Sequence, residues 1–268
     1  MIMGDFNGKT IVIKYGGAAM QSEELKAGVM EDVALMAGRG ARVVLVHGGG
    51  PELSALQKRL GLETRFVEGL RYTDETTIDA ALMALCGKVN KDLVRLLENA
   101  GQKAVGISGL DGGLLICEKQ QEPDIGFVGR VRQVDTGLLH ALLGAGYVPV
   151  VSTVGLGVDG QAYNVNADTA AGSIAAALGA DCLITMSNIP GVMRDADDPA
   201  SVIPEIRAGE VEELIEGGVI SGGMIPKARG LADAVRKGAA SAAIIDGRAP
   251  HALRNCAEGA GGGTFFVT

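Results

Sequence analysis

Val43-Val44-Leu45-Val46-His47-Gly48-Gly49-Gly50-Pro51 is the stretch on which the reading of this chain turns. Val43 to Val46 are apolar and mostly β-branched, the pattern of a buried parallel strand. The glycines after them carry no Cβ and leave backbone N–H groups open to a ligand. Pro51 suits the first turn of a helix, and Leu53, Leu56 and Leu60 recur behind it at helical spacing. A strand running through glycines into a helix N-terminus is an anion site, because unpaired N–H groups and the helix dipole both favour negative charge. A tight strand-to-helix turn would use the same residues, so the rest of the chain has to decide.

Before this stretch, Thr10 to Lys14 reads as a short strand ending at Tyr15-Gly16-Gly17. Ser22 can cap a helix that runs to Gly38, with Glu23 and Glu24 in its first turn. After it, Thr64 to Val67 and Leu70 to Thr73 flank Glu68-Gly69 as a hairpin. A long helix is expected from Asp74 to Ala100, closed by Gly101. Strands come next at Ala104 to Ser108, Leu114 to Glu118 and Phe127 to Val134, the last two forming an accessory hairpin around Pro123-Asp124. Then come a helix (Thr136 to Gly146), a strand (Val148 to Thr153) and a small-residue helix (Asp168 to Leu178). Beyond Gly179 the expected order is strand Cys182 to Met186, helices Ala208 to Glu216 and Ile225 to Lys237, and strands Ala242 to Asp246 and Thr264 to Val267. Such βα alternation implies a largely parallel sheet covered on both faces, with a soft lobe boundary near Gly179.

Composition agrees with that architecture. Of 268 residues 47% are hydrophobic but only 3% aromatic, with no Trp, so the core must be Ala, Val, Leu and Ile packed between helices and a sheet. A net charge of −8 argues against a nucleic-acid surface, which would be basic. Cys86, Cys117, Cys182 and Cys256 are widely spaced and read as buried free thiols rather than a disulfide or metal set. No apolar run reaches the roughly 18 residues of a membrane span, and no signal peptide opens the sequence. The expectation is a soluble, cytoplasmic protein.

Two motifs imitate nucleotide sites. Gly4-Asp5-Phe6-Asn7-Gly8-Lys9-Thr10 is one residue short of a P-loop and precedes a strand instead of coming after one. Gly155-Leu156-Gly157-Val158-Asp159-Gly160 matches the dinucleotide pattern, but Gln161 to Asn166 is no helix, so a pyrophosphate would find no helix dipole there. A wide turn is the better reading. The chemistry lies elsewhere: Lys14 beside Gly16-Gly17, His47 to Pro51, Asn164-Val165-Asn166-Ala167-Asp168 at a helix entrance, and Gly222-Gly223-Met224-Ile225-Pro226-Lys227. Ligands of parallel sheets bind at the carboxyl ends of the strands. Lysines and open amides on one such rim suit a phosphoryl group in transfer, a chemistry of positioning and charge stabilisation. Taken singly, Lys14 and Lys227 could be surface lysines, Asp168 a helix cap, and Asn164 and Asn166 turn residues. Their joint occurrence carries the argument.

Lys14-Tyr15-Gly16-Gly17, His47 to Pro51, Gly69-Leu70-Arg71, Tyr163 to Asp168 and Gly222 to Lys227 succeed one another as in the amino acid kinase family, which the chain resembles along essentially its whole length. The resemblance implies an α/β fold, an open αβα sandwich with a mainly parallel central sheet. It further implies two lobes: residues 1–179 for acyl amino acid binding and dimerisation, and 180–268 for ATP. Its implied activity is phosphorylation by ATP of the γ-carboxylate of N-acetyl-L-glutamate, a step of arginine biosynthesis. Lys14 and Lys227 would neutralise the moving phosphoryl group, Asp168 would hold both lysines, and amides of Gly16, Gly17, Gly48 and Gly49 would cradle it. Arg71 would grip the α-carboxylate with its planar fork, and Asn164 and Asn166 would bond the acylated amino group and α-carboxylate side. Ser187, Asn188, Gly191, Gly222, Gly223 and Met224 would line the nucleotide. The γ-carboxylate is already ionised at pH 7, so no general base is needed. Mg²⁺ would sit mainly on ATP phosphates and water, with no metal site of the protein's own.

Two positions depart from the family pattern. Asn188 stands where aspartate is usual and loses a negative charge, and Tyr72 replaces a small or β-branched residue. The rival readings are a kinase of the same fold for an N-blocked aminoadipate and a non-catalytic amino-acid or nucleotide sensor. A sensor has no need of both lysines and Asp168. The assembly expected is a homodimer, insensitive to free arginine. Only about nine residues precede Thr10, too few for the extra interlocking helix of hexameric family members, and the long helix carries more apolar stripe than one sheet face requires.

Overall fold

Thr10–Tyr15 is β1, buried at all six positions. A computed structural model describes residues 6–20, 22–195, 198–259 and 261–268. The Gly4-Asp5 start of the P-loop look-alike lies outside them. Successive side chains of β1 point to opposite faces. Ile11 and Ile13 join one apolar layer, and Val12 joins the other. After β1 come α1 (Glu23–Gly38), whose Ser22 cap accepts from the Leu25 amide, β2 (Arg42–His47) and α2 (Gly50–Leu60). The hairpin is smaller than predicted, β3 (Phe66–Val67) and β4 (Leu70–Arg71), turned by Glu68 and Gly69 at φ 50° and 80°.

The long helix is present but not uniform. It comprises α3 (Glu75–Ala81), a π-helical stretch (Leu82–Val89) and α4 (Asn90–Asn99). In α4 the buried face runs through Leu93 and Leu97, and Leu96 is only half-buried. Next are β5 (Ala104–Gly109), β6 (Leu115–Lys119) and β7 (Val128–Val134), then α5 (Gly137–Gly144) and β8 (Val148–Gly157). β8 extends past its predicted end and turns into β9 (Ala162–Val165), a strand the sequence did not announce. The second half comprises α6 (Ala167–Leu178), β10 (Cys182–Ser187), β11 (Glu205–Arg207), α7 (Val211–Glu216) and α8 (Met224–Arg236). It ends with β12 (Ala242–Asp246), α9 (Ala252–Ala257) and β13 (Thr264–Val267). The sequence does not announce β11 and α9, each too short for its periodicity to stand out.

Among the described residues all of these strands but β3 and β4, which pair with each other, build one sheet in the order β11-β13-β12-β10-β1-β2-β8-β6-β7-β9, with β5 also paired to β8. β12, β10, β1, β2, β8 and β5 are mutually parallel, so their carboxyl ends share one rim. The predicted hairpin β6–β7 is antiparallel and is built into this sheet through β6–β8 and β7–β9 pairs. Helices α1, α4 and α9 cover one face, and α6 and α8 cover the other. The sheet is thus sandwiched between helical layers, as the alternation requires. All four cysteines are free, and no helix of the described residues is long and apolar enough to cross a membrane.

Candidate active site

Lys14 is the last but one residue of β1, in register with Val46 of β2 and Thr185 of β10 at the heart of the rim. Gly17 then takes φ +68°, a left-handed turn that glycine enters without strain, and the chain leaves the sheet. The two glycine turns lie side by side, for a Cβ on Gly16 would stand 3.7 Å from the Gly48 nitrogen. Gly48 donates its own N–H to the Tyr15 carbonyl at 3.0 Å, which locks the turns together and takes the Gly48 amide out of the expected phosphoryl cradle. A Cβ on Gly49 would stand 2.6 Å from Leu85 Cδ2 and 3.2 Å from Val89 Cγ2 in the π-helical stretch, so a larger residue would push on that helix.

The N-termini of α2, α6 and α8 converge on this rim. Asn166 caps α6, its Oδ1 accepting from the amides of Asp168 and Thr169 at 2.9 and 3.1 Å. Asp168 is therefore not the cap. Its carboxylate instead bridges the two predicted lysines, Oδ1 forming an ion pair with Lys14 Nζ at 3.0 Å and Oδ2 accepting from Lys227 Nζ at 3.3 Å. Burial pushes the Asp168 carboxyl up, the ammonium groups of Lys14 and Lys227 pull it down, and the net position is below its ordinary value. Lys227 sits in the first turn of α8, where the helix dipole disfavours a cation. Its partner is Asp168, across to another helix, rather than its own helix end.

Beside this bridge lies a cleft of about 210 Å³ walled by Gly48, Gly49, Arg71, Asn164 and Asn166. Asn164 donates to Thr73 Oγ1 at 3.2 Å. Arg71 is buried, and its guanidinium donates to Gln57 Oε1, to Ser54 Oγ at 2.8 Å and to the Gly50 carbonyl at 3.0 Å. It also lies 4.9 Å from the Phe66 ring centre, while Arg65 stacks on Tyr72 at 4.1 Å across the same hairpin. Tyr72, the departure in the hairpin, thus has a packing partner. Burial lowers the Arg71 pKa from its usual value, although a guanidinium stays charged in any protein. Gln57 is fully buried, bonds Thr64, Thr77 and the Glu63 carbonyl, and fixes the fork from behind. Neither Gln57 nor Ser54 was singled out in the sequence. The available signal was a glutamine four residues after Leu53, on the apolar stripe of α2.

A second cleft of about 510 Å³ adjoins the first, lined by Asp168, Lys227, Gly223 and Arg130 among others. Of the predicted nucleotide residues, Gly223 reaches this space. Gly222, at φ +53°, and Met224 form the turn that starts α8, Met224 packing on the core. Ser187 ends β10 on the same rim and its hydroxyl is 3.5 Å from Asn188 Oδ1. Gly191 stands farther along, under Thr264, whose Oγ1 would be 2.7 Å from a Cβ there. Among the described residues no three His, Cys, Asp or Glu side chains gather as a metal-binding group.

A model of the amino acid kinase family matches residues 9–246, which include the glycine turns, the arginine hairpin and the lysine–aspartate–lysine bridge. The chain belongs to the amino acid kinase family. Among family relatives, acetylglutamate kinase of Clostridioides difficile is 46% identical over 92% of this chain and 86% of its own length. Acetylglutamate kinase of Actinobacillus pleuropneumoniae is 49% identical over 98% of this chain and 92% of its own. Among solved structures, N-acetylglutamate synthase of Neisseria gonorrhoeae, complexed with coenzyme A and N-acetyl-glutamate, superposes with a TM-score of 0.84 at 24% identity. This chain spans 60% of that synthase and is covered over 98% of its own length. Carbamate kinase of Giardia lamblia bound to AMP-PNP gives 0.73 at 16% identity, covering 97% and 99% of the two chains. At those identities the likeness is one of fold, and it is the amino acid kinase sandwich.

Proposed function

We propose that this amino acid kinase transfers the γ-phosphoryl group of ATP to the γ-carboxylate of N-acetyl-L-glutamate, the reaction its curated relatives are named for, as a step of arginine biosynthesis. One observation carries the reading. A buried, pre-oriented guanidinium and two asparagines share a cleft whose wall of glycines leads to a carboxylate holding two lysines. Arg71 takes the α-carboxylate, and Asn164 and Asn166 take the acylated amino group. The γ-carboxylate then faces the glycine turns. Its oxygen attacks the γ-phosphorus, the new O–P bond forms as the β–γ bridge breaks, and ADP leaves with the electron pair. No proton has to move, which suits a rim without a histidine poised as base.

Lys14 and Lys227 neutralise the equatorial oxygens in transfer, and Asp168 keeps both ammonium groups pointed at one spot. Gly16, Gly17, Gly48 and Gly49 make the backbone wall. The nucleotide is taken on the C-terminal side (180–268), by Ser187, Asn188, Gly191, Gly222, Gly223 and Met224. The acyl amino acid is taken on the N-terminal side (1–179). Mg²⁺ rides on the ATP phosphates and water and shields their charge. A cytoplasmic homodimer is the assembly we propose. The π-helical stretch leaves Met83 60% exposed on the long helix, a surface available to a second copy.

An ADP-release assay with N-acetylglutamate, N-acetylaminoadipate and free glutamate tests the reading. Turnover with N-acetylglutamate at the highest kcat/KM is expected. A preference for the longer acid, or no turnover with any of them, overturns it.

A further inference from the structure

His47 closes β2 but faces away from Lys14, into the layer under α4. It is fully buried, with Nδ1 2.7 Å from the Gly48 carbonyl and Nε2 3.1 Å from Asn90 Nδ2. A carbonyl only accepts and an amide nitrogen only donates, so Nδ1 carries the proton and Nε2 offers its lone pair. The orientation of Asn90 is itself fixed. Its Nδ2 also faces the carbonyls of Val150 at 2.8 Å and Ile107 at 3.2 Å, so its two hydrogens are shared among three acceptors and a proton on Nε2 would meet a donor. Its Oδ1 accepts from Lys91 at 3.0 Å. Room for it is made by Gly106, where a Cβ would stand 1.9 Å from Asn90 Oδ1. Burial holds the imidazole neutral, with its pKa pulled down to about 4.

The consequence falls on one peptide unit. In a trans peptide the C=O and the next residue's N–H point in opposite directions. The Gly48 carbonyl is drawn toward His47, on the α4 face of the sheet, so the Gly49 N–H turns to the other face. That face holds Lys14 and Ala167, whose Cβ would be 3.6 Å from a Cβ on Gly48. The neighbouring Gly48 N–H is already given to Tyr15. We infer that His47 and Asn90 are positioning residues: the Asn90 amide sets the imidazole tautomer, and the imidazole holds the Gly48–Gly49 peptide so that Gly49 N–H donates into the cleft, to the anion that reacts there. This rests on the kinase reading above, but its test does not share that reading's fate.

Three variants at position 47 and one spectrum test it. The asparagine side chain places an N–H where the imidazole carries its Nδ1 proton, whereas glutamine reaches only to the Nε2 position and leucine donates nothing. His47→Asn is expected to recover most of the wild-type kcat, with His47→Gln and His47→Leu lower by roughly tenfold or more, part of the roughly 10²–10³ that outright loss of an oxyanion donor costs. KM for ATP should stay within about twofold in all three, on the wild type's preferred acid. Equal kcat in the Asn and Gln variants, or a kcat that only tracks thermal stability, overturns the inference. In parallel, ¹⁵N NMR of the unliganded protein should show His47 protonated at Nδ1 and bare at Nε2. The opposite tautomer overturns it whatever acid the enzyme phosphorylates.

Discussion

The glycines that follow β2 and those that end β8 do opposite things. At Gly48-Gly49 the strand β2 opens a helix, the turn abuts a second glycine turn, and two lysines bridged by Asp168 stand beside it. At Gly155 and Gly157 the strand β8 simply continues, then folds back into β9. A Cβ on Gly155 would stand 2.5 Å from Cys117 Sγ, and one on Gly157 would stand 2.4 Å from the Tyr163 ring. Those glycines are there because neighbours crowd them. A glycine after a strand can therefore mark a crowded Cβ, as at Gly155, or an open turn, as at Gly48, where a Cβ would meet only Ala167 at 3.6 Å. Whether a ligand or a side chain fills the space depends on which element comes next and which charges it meets.

The sharpest way to break the contrast is to remove charge beside the first turn. Lys14→Ala and Lys227→Ala should each lower kcat by on the order of 10²–10³, with the fold intact by circular dichroism. Activity within threefold of wild type in either variant would take that lysine out of the mechanism. Arg71→Ala comes next. Its guanidinium is buried against Gln57 and Ser54, and losing its partnership with a substrate carboxylate should cost about 2 kcal/mol or more, roughly a thirtyfold rise in KM for the acyl amino acid. Steady-state kinetics with ATP varied should show little change. A rise in KM for ATP instead would reverse the roles proposed for the two sides of the cleft.

The same contrast shows what the sequence could and could not disclose. Parallel strands and their glycine exits were legible because β-branched runs and Gly-Pro punctuation are local signals. Short edge elements such as β11 were not, since Glu205–Arg207 is held by its pairing with Phe265–Val267 rather than by any pattern of its own. The bridge Lys14–Asp168–Lys227 was legible as a contact only through the family resemblance and not from any local pattern, because 59 residues separate the partners of its second half. Buried polar residues behind the site were missed altogether. Gln57 and Asn90 each occupy a position on an apolar helical stripe, and a polar residue there is the trace such support leaves. The π-helical stretch leaves no comparable trace. It packs Leu85 close against Gly49, a contact no local pattern announces.

At the second glycine stretch the expected effect is on stability alone. Gly155→Ala forces a Cβ against Cys117 Sγ and the Leu115 carbonyl, so it should lose about 1–3 kcal/mol by urea titration, as overpacked cores do. The kinetic constants of the folded fraction should stay those of wild type. A kcat lowered as far as in the lysine variants would mean that this stretch touches the reaction after all.

The smallest effect separates the two stretches by pH. Behind the first turn is an imidazole that burial depresses to about 4, with Lys91 the nearby cation. In the second, Tyr163 is pushed up to about 12 by burial and by Asp159, and Asp159, which accepts its hydroxyl, lies below the usual carboxylate value. Neither of those groups titrates between pH 5.5 and 8. For His47 the unfolded chain takes up a proton below about pH 6.5 while the folded chain does not until about pH 4, so stability falls as pH falls through that window. The native state should lose about 1.4 kcal/mol at pH 5.5 relative to pH 8 through this one group. Comparing wild type with His47→Asn cancels the carboxylates and the other two histidines, and Tyr163→Phe serves as the control at the second stretch. The pH-dependent loss should shrink by that amount in His47→Asn and be unchanged in Tyr163→Phe. Parallel pH curves for wild type and His47→Asn would show that the imidazole is not held neutral, and the first turn would then rest on packing just as the second does.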